Sequence, residues 1–395
     1  MTKKLFAILL IAAMCLTMIS LSIAQEEDGD VSITLLDKKG NVVTGTEGDA
    51  PEAGETATPA PTADKAAPIR EIDGSILLTM SFTGDVTIGS NTQAGSSIFE
   101  KELKKQKGDI NFPFRNVKDI FALDDLTMVN FEGTLTTEGK NSDKLENEYL
   151  FRADPSYVSM LPYGNIDTVS LENNHVLDMG AQGIAETKKT LTDAGISYAS
   201  DGEPAVILTR GVKVGSLAYQ TFGGKHDELI AQIPGDIKAL RDQGCEVVVV
   251  IFHWGNENDY SPNSNQVKLG RATIDAGADL VIGHHSHRIN PIEYYNGKYI
   301  CYSLGNFSFA GNANPSDMAT FIFQIKMRVK DGVATSEQIK IIPCRISSRR
   351  DYNDFAPTPY DKDENIEAVV STLKKNGKGL EYALTEYPIK WVGEE

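Results

Sequence analysis

Apolar runs alternate with amphipathic stretches along the chain from about Ser75 onward. The apolar, often β-branched runs predict strands over residues 76–82, 127–131, 168–171, 214–219, 246–252, 279–283, 299–303 and 320–329. Helices are predicted over residues 183–194, 234–243, 264–276 and 364–375. The alternation of the two predicts an α/β or layered α+β domain with much parallel strand pairing.

The first 24 residues have a different pattern. Lys3 and Lys4 precede an apolar run that ends in Ser22-Ile23-Ala24, a small-x-small sequence. A basic start, an apolar middle and a small-residue end predict a secretory signal peptide over residues 1–24. The run is also long enough to remain as an uncleaved membrane anchor. We therefore expect an exported protein that is extracellular or associated with the cell envelope.

Three further segments follow from composition. Residues 25–73 are acidic and rich in Pro, Ala and Thr, which predicts an extended linker, with a short hairpin possible over 31–43 around Lys39-Gly40-Asn41. The folded domain is predicted over residues 74–345. The pattern then weakens, so residues 346–395 are interpreted as a C-terminal extension.

The chain has 395 residues and a net charge of −17, and loss of Lys3 and Lys4 with the signal peptide would take it to −19. Such a charge excludes nucleic acid as an expected partner, because nucleic-acid binding depends on neutralising phosphates. Any anionic substrate must be held by local cations. The cysteines outside the signal peptide lack metal-ligand spacing and are interpreted as small core residues.

Five of the six histidines directly follow predicted strands. They are His175, His253, His284, His285 and His287. Two further strands end in Gly84-Asp85 and in Asn130-Phe131-Glu132. A single polar residue after a strand is more often structural, but in open α/β sheets the carboxyl ends of the strands share one rim. Imidazole, carboxylate and amide oxygen together favour Zn, Mn or Fe over Ca. Their joint occurrence predicts a metal site at that rim.

Several of these segments form ordered motifs. They are Gly84-Asp85-Val86, Asn130-Phe131-Glu132, Phe151-Arg152-Ala153-Asp154-Pro155, Glu172-Asn173-Asn174-His175-Val176-Leu177-Asp178-Met179-Gly180, His253-Trp254-Gly255-Asn256-Glu257, Ile282-Gly283-His284-His285-Ser286-His287 and Tyr302-Ser303-Leu304-Gly305-Asn306-Phe307. In this order they resemble the CapA family, which is associated with bacterial capsule and poly-γ-glutamate synthesis. The resemblance covers about residues 76–325. It implies a metallo-dependent phosphatase-like superfamily and a calcineurin-like, four-layer α-β-β-α sandwich.

The resemblance also implies roles for individual residues. The metal ligands would be Asp85, Glu132, Asn174, His253, His285 and His287. His175 would act as the catalytic acid, Asp178 would orient the loop that carries it, and Glu257 could serve as an acid or base. Alternatively, Glu257 belongs to a plain exposed turn.

Two positions depart from the superfamily pattern. Thr87 stands where phosphatases carry a histidine, and Glu132 replaces the bridging aspartate. One subsite keeps Glu132, Asn174, His253 and His285, whereas the other keeps only Asp85, Glu132 and His287. We therefore expect one divalent transition-metal ion, Mn, Fe or Zn, and do not expect a firmly held second ion.

Three residues are candidates for substrate binding. Arg152 could hold a carboxylate or phosphate, or it could form a structural ion pair. Trp254 could line a groove, although packing in the core is an equal alternative. His284, beside the final His-x-His pair, is the third candidate.

Two classes of function remain open from the sequence. The first is a metal-dependent hydrolase acting outside the membrane on a phosphoester or a polymer linkage. The second is a non-catalytic factor in synthesis or export of a poly-γ-glutamate-type capsule polymer. The expected partners are an anionic polymer or phosphoester and membrane capsule-synthesis subunits. An envelope phosphoesterase unrelated to capsule is the alternative reading of the same motifs.

Overall fold

The computed structural model describes residues 20–25, 31–36, 70–92, 98–140 and 149–394. The chain divides into two compact units, residues 1–56 and 57–395. In the first unit, β1 (Ser20–Gln25) pairs antiparallel with β2 (Val31–Leu36). Most of the predicted signal peptide and the turn of the predicted hairpin lie outside the described residues. Among those residues, no helix is long and apolar enough to cross a membrane.

The second unit contains two large sheets, a small sheet and helices. Its strands are β3 (Ile76–Thr87), β4 (Ser90–Asn91), β5 (Leu126–Glu132), β6 (Thr134–Leu135), β7 (Phe151–Ala153), β8 (Thr168–Ser170), β9 (Ser197–Ala199), β10 (Ala205–Thr209), β11 (Val212–Gln220), β12 (Val247–His253), β13 (Leu280–His284), β14 (Ile292–Tyr295), β15 (Lys298–Cys301), β16 (Asn306–Phe309), β17 (Ala319–Lys330), β18 (Val333–Arg345) and β19 (Thr358–Pro359). The α-helices are α1 (Ile98–Lys105), α2 (Lys118–Phe121), α3 (Met160–Tyr163), α4 (Gly180–Asp193), α5 (His226–Asp242), α6 (Ser264–Asp275) and α7 (Asp363–Asn376). Short 3-10 helices cover Phe112–Phe114 and Pro155–Ser159.

Both large sheets combine parallel and antiparallel pairs: the smaller sheet is antiparallel at both edges, and the larger sheet at one edge only. One has the order β19-β18-β17-β3-β5-β8-β9, with β16 also pairing with β3. The other has the order β10-β11-β12-β13-β15-β14. Strands β3, β5, β8 and β9 pair in parallel, as do β11, β12, β13 and β15. Their carboxyl ends therefore gather polar side chains at one end of each sheet.

Three apolar clusters define four layers. Phe82 of β3 and Ile251 of β12 belong to one buried cluster between the two sheets. Leu191 of α4 packs in a second cluster on the outer face of the larger sheet. Ile237 of α5 packs in a third cluster on the outer face of the smaller sheet. This arrangement confirms the predicted four-layer α-β-β-α sandwich.

Some boundaries differ from the sequence-based prediction. Strand β3 was predicted to end at Phe82 but continues to Thr87. Helix α5 was predicted to begin at Pro234 but begins at His226, so this proline lies inside the helix. Strands β10 and β18 were not predicted, and in β18 exposed polar residues alternate with buried ones along an edge region of the sheet.

The C-terminal segment is part of the same core. Helix α7 was predicted over 364–375 and is confirmed. Its residues Val369 and Leu373, together with Tyr387, belong to the cluster between the two sheets. The segment predicted as an extension therefore fills space inside the sandwich. Cys245, Cys301 and Cys344 are free and buried, as expected for core residues.

Candidate metal centre

A bulge in β3 turns Asp85 toward the space between the sheets. Phe82 belongs to the inner core, and simple alternation would turn Gly84 rather than Asp85 inward. The pairing of β3 with β5 shifts between Phe82 and Asp85, which restores an inward direction for Asp85 and Thr87. Gly84 is required here because a Cβ atom would lie 2.0 Å from the carbonyl oxygen of Gly305.

The larger sheet contributes a buried carboxylate pair. Asp85 Oδ1 accepts a hydrogen bond from Asn130 Nδ2 at 2.9 Å. Glu132 lies at the end of β5, and its Oε2 accepts a hydrogen bond from the Thr87 hydroxyl at 2.9 Å. Both carboxylates are fully buried. Thr87 thus helps to position Glu132.

The smaller sheet contributes the histidines. His253 and His284 are paired residues at the ends of β12 and β13, so their side chains point to the same face. The loop that follows β13 then brings His285 and His287 inward with positive φ angles of 91° and 54°. The rings of His253 and His285 lie 4.6 Å apart.

Donor atoms of both sheets converge on one point. Asp85, Glu132 and His253 each offer an atom within 4.8 Å of the others. His253 Nε2 lies 3.6 Å from Glu132 Oε1 and 2.8 Å from Asn174 Oδ1. Within the described residues, Glu132 Oε1 and His285 Nδ1 are buried without a hydrogen-bond partner. A divalent transition-metal ion between Asp85, Glu132 and His253 would satisfy Glu132 Oε1, and the donor set fits such an ion.

The electrostatics of the cluster favour a cation. Burial and the neighbouring Asp85 raise the pKa of Glu132 to about 8. Burial and then the charge of His285 lower the pKa of His253 well below its usual value, so this ring is neutral, as a metal ligand must be. Burial likewise lowers the pKa of His285 to about 4.

Asp85 lies in contact with two histidines. His284 Nδ1 lies 3.0 Å from Asp85 Oδ1, and His287 Nδ1 lies 3.2 Å from Asp85 Oδ2. Burial opposes ionisation of Asp85, but hydrogen bonds from these histidines hold its pKa well below the usual value. Burial also opposes charge on His287, yet its hydrogen bond to Asp85 raises its pKa to about 9.

A cleft opens in front of this cluster. Its volume is about 180 Å³, and its walls include His175, Glu257, His287 and Asn306. His175 Nδ1 lies 2.8 Å from Asp178 Oδ2, which also accepts a hydrogen bond from the backbone N–H of Phe151 at 2.6 Å. The buried Asp178 therefore orients His175 at the inner edge of the cleft, while Glu257 is exposed at its rim.

The three predicted substrate-binding residues lie elsewhere. Trp254 is fully buried, stacks on Phe252 and donates its indole N–H to the carbonyl of Tyr302, so it belongs to the outer core of the smaller sheet. His284 is buried against Asp85 and does not line the cleft. Arg152 is half-buried in β7, next to Phe151 whose ring packs on His175, and strand alternation directs the arginine to the opposite side.

Several residues of the centre were not predicted as ligands or positioning residues. Asn130 contacts Asp85, and its Oδ1 accepts a hydrogen bond from Asn173 Nδ2 at 3.2 Å. Asn306 Oδ1 lies 2.8 Å from His287 Nδ1, and the ring of Phe222 packs 4.8 Å from that of His285. Asn130 and Asn306 belong to the motifs quoted from the sequence, and that membership could have identified them as residues of the site. Phe222 lies after β11 in a segment without a recognisable motif.

Comparison with known proteins gives consistent matches. The family model described as bacterial capsule synthesis protein PGA_cap matches residues 79–310. The PGA biosynthesis protein CapA of Bacillus subtilis is 31% identical over 306 residues, which span 73% of this chain and 75% of that protein. The capsule biosynthesis protein CapA of Bacillus anthracis is 29% identical over 59% of this chain and 60% of that protein.

Two more distant similarities were found. A probable polyglutamine synthesis accessory protein of Mycobacterium tuberculosis is 27% identical over 57% of this chain and 67% of its own length. Among solved structures, the calcineurin-like phosphoesterase YfkN of Bacillus subtilis aligns with 14% identity and a TM-score of 0.38, over 76% of this chain and 98% of that chain.

Proposed function

Because the chain belongs to the bacterial capsule synthesis protein family PGA_cap, we propose that it takes part in the synthesis or export of a poly-γ-glutamate-type capsule polymer. The proposal includes a location outside the cytoplasmic membrane, supported by the predicted signal peptide. It also includes a hydrolytic site that uses a divalent transition metal, Mn, Fe or Zn. Membrane capsule-synthesis subunits are the proposed protein partners.

The hydrolytic part of the proposal rests on the donor atoms that converge near Glu132 Oε1. This buried oxygen has no hydrogen-bond partner among the described residues and faces His253 Nε2 at 3.6 Å. Glu132, Asn174, His253 and His285 would hold the ion, and Asp85 and His287 would flank it with Glu132 as the depleted second subsite. When bound, such an ion polarises a substrate oxygen and lowers the pKa of water.

The residues around the cleft suit cleavage of an amide such as a γ-glutamyl bond. In hydrolysis, the oxygen of water bonds to the carbonyl carbon and water releases one proton, while the C–N bond breaks and the departing nitrogen takes one proton. His175 is the acid that supplies this proton, because it lines the cleft beside the cluster. Asp178 keeps the imidazole oriented and stabilises its protonated form.

The test is cleavage of poly-γ-glutamate by protein stripped with a chelator and then reloaded with Mn, Fe or Zn. New amino termini and shorter chains are expected with metal and not without it. Glu132→Gln should abolish both, because the variant loses a charged ligand. An exposed charge such as Glu228 offers a control, since Glu228→Gln leaves the cluster intact.

Two other outcomes would redirect the proposal. Metal-dependent hydrolysis of an aryl phosphate ester with the polymer left intact would favour an envelope phosphoesterase instead. Binding of the polymer without cleavage at any metal loading would leave a non-catalytic capsule factor and remove the hydrolytic part.

A further inference from the structure

Arg288 is a buried cation in the wall of the cleft. It directly follows His287, lines the same cavity as His175 and Glu257, and is 9% exposed. The sequence drew attention to Arg152, but that residue does not line this cleft. Since the chain has a net charge of −17, an anionic substrate needs a local cation of this kind.

The partners of Arg288 are neutral. One terminal nitrogen donates to the carbonyl of His287 at 2.8 Å. The other donates to Asn258 Oδ1 at 2.6 Å and to the Ser316 hydroxyl at 3.1 Å. Within the described part of the chain, no carboxylate forms an ion pair with Arg288, although buried arginines are normally paired with one.

The guanidinium group is also held in a fixed position. The loop around Asn258 is joined to the loop of Arg288 by a bond from the Asn258 backbone N–H to the Ser286 carbonyl at 2.7 Å. Asn290 Nδ2 bridges the same loops through the Asp259 carbonyl at 2.9 Å and the Ser286 hydroxyl at 3.2 Å. A side chain held in this way loses little conformational entropy when a ligand binds.

We propose that Arg288 binds an anionic group of the substrate and holds it beside the metal cluster. Its planar group has five N–H donors, of which at least three are used by neutral partners, and it also lies 5.7 Å from the ring of the uncharged Tyr260. Because none of these partners is a carboxylate, the positive charge suits binding of a carboxylate or a phosphate. The inference rests on the proposed function for the identity of the anion. In a poly-γ-glutamate chain, that anion is the free α-carboxylate of a glutamyl unit adjoining the γ-amide bond.

The test compares Arg288→Gln and Arg288→Lys with the parent, all loaded with metal. Calorimetry would measure binding of a short γ-glutamyl oligomer, its neutral methyl ester and inorganic phosphate. Loss of charge-assisted hydrogen bonds predicts oligomer binding weaker by roughly 10- to 100-fold in Arg288→Gln. Arg288→Lys should lose less, and the ester should bind all three proteins with similar low affinity.

Metal content and melting temperature show whether a substitution at Arg288 disturbs the fold or the metal cluster rather than substrate binding alone. Both should match the parent in Arg288→Lys, which keeps the charge and most of the aliphatic chain. The exposed Arg349, which does not line the cleft, provides the matched control Arg349→Gln. That control should bind every probe as the parent does.

The outcomes separate the inference from the function on which it rests. If Arg288→Gln bound both the oligomer and phosphate as tightly as the parent does, the assignment of Arg288 would be overturned. Binding of phosphate but not oligomer, lost in Arg288→Gln, would sustain Arg288 as an anion site and overturn the glutamyl substrate. An equal loss of ester binding in Arg288→Gln would also count against recognition of charge.

Discussion

At the scale of single residues, neighbouring side chains have separate tasks. Asn174 Oδ1 lies 2.8 Å from His253 Nε2 and so belongs to the converging donor atoms. The adjacent His175 is instead tied by its Nδ1 to Asp178 and lines the cleft. One residue of the pair is therefore suited to hold the ion, and the other to transfer a proton.

This division predicts different failures in two variants. His175→Ala should retain its metal but lose turnover by on the order of 10²–10⁴, because a general acid is removed. Asn174→Ala should lose metal occupancy, since the remaining ligands cannot complete the coordination. Elemental analysis and polymer cleavage would be measured on the same samples.

The sixth histidine supplies a matched control. His226 is the first residue of α5, so His226→Ala should change neither metal content nor turnover. If His175→Ala lost its metal as completely as Asn174→Ala, the two roles would have been assigned incorrectly.

At the scale of secondary structure, strand β3 determines which side chains reach the metal centre. Its bulge reverses the inward and outward faces between Phe82 and Asp85. The backbone N–H of Asp85 donates to the carbonyl of Gly305 at 2.9 Å, so the segment before β16 fixes the bulge in place. Close approach of the two backbones is possible only because residue 84 has no Cβ atom.

Gly84→Ala should therefore damage both stability and metal binding. The new methyl group would lie 2.0 Å from the Gly305 oxygen, and relieving that contact should cost about 1–3 kcal/mol. Gly235→Ala is the contrasting change, because nothing lies within 4 Å of its Cβ position on α5, and it should stabilise by about 0.5–1 kcal/mol. Urea unfolding with elemental analysis would measure both effects, and equal stability of the two variants would contradict the role of Gly84.

The sequence predicted elements with strong local signals and missed those set by distant contacts. Helix α6 was predicted to start at Ser264, where the structure has a capping box between Asn263 and Gln266. The bulge of β3 was not predicted, because it depends on Gly305, more than two hundred residues away. Trp254 comes directly after β12 and follows a histidine of the site, but it packs in the outer core of the smaller sheet, which its place in the motif did not indicate.

At the scale of the whole molecule, the metal-free centre of the folded chain binds protons that are released when the chain unfolds. Folded Glu132 and His287 have pKa values of about 8 and 9, compared with ordinary values of 4.5 and 6.5. Between pH 6.5 and 9 the folded chain therefore binds more protons than the unfolded chain at these residues, which makes folding less favourable as pH rises. His253 and His285, whose pKa values are lowered, act in the opposite direction only below about pH 6.5.

The melting temperature of metal-free protein should accordingly fall from pH 6.5 to 9. Saturating metal should reduce that fall, because the ion replaces the protons. Glu132→Gln should show a shallower fall without metal, since one titrating group is gone. A melting temperature that stayed constant or rose across this range in metal-free protein would contradict the proposed protonation of the cluster.

The pairing of β3 with β17 also affects when during synthesis the domain can fold. Met80 lies opposite Ile325, and Tyr387 fills the same core between the sheets. The central strand β3 pairs with β5 nearby in sequence, but its partner on the other side, β17, is synthesised some 240 residues later. Contacts so distant in sequence form slowly, because a long loop must close first. Until the strand β17 and Tyr387 have been synthesised, the nascent chain lacks residues that close the core between the two sheets.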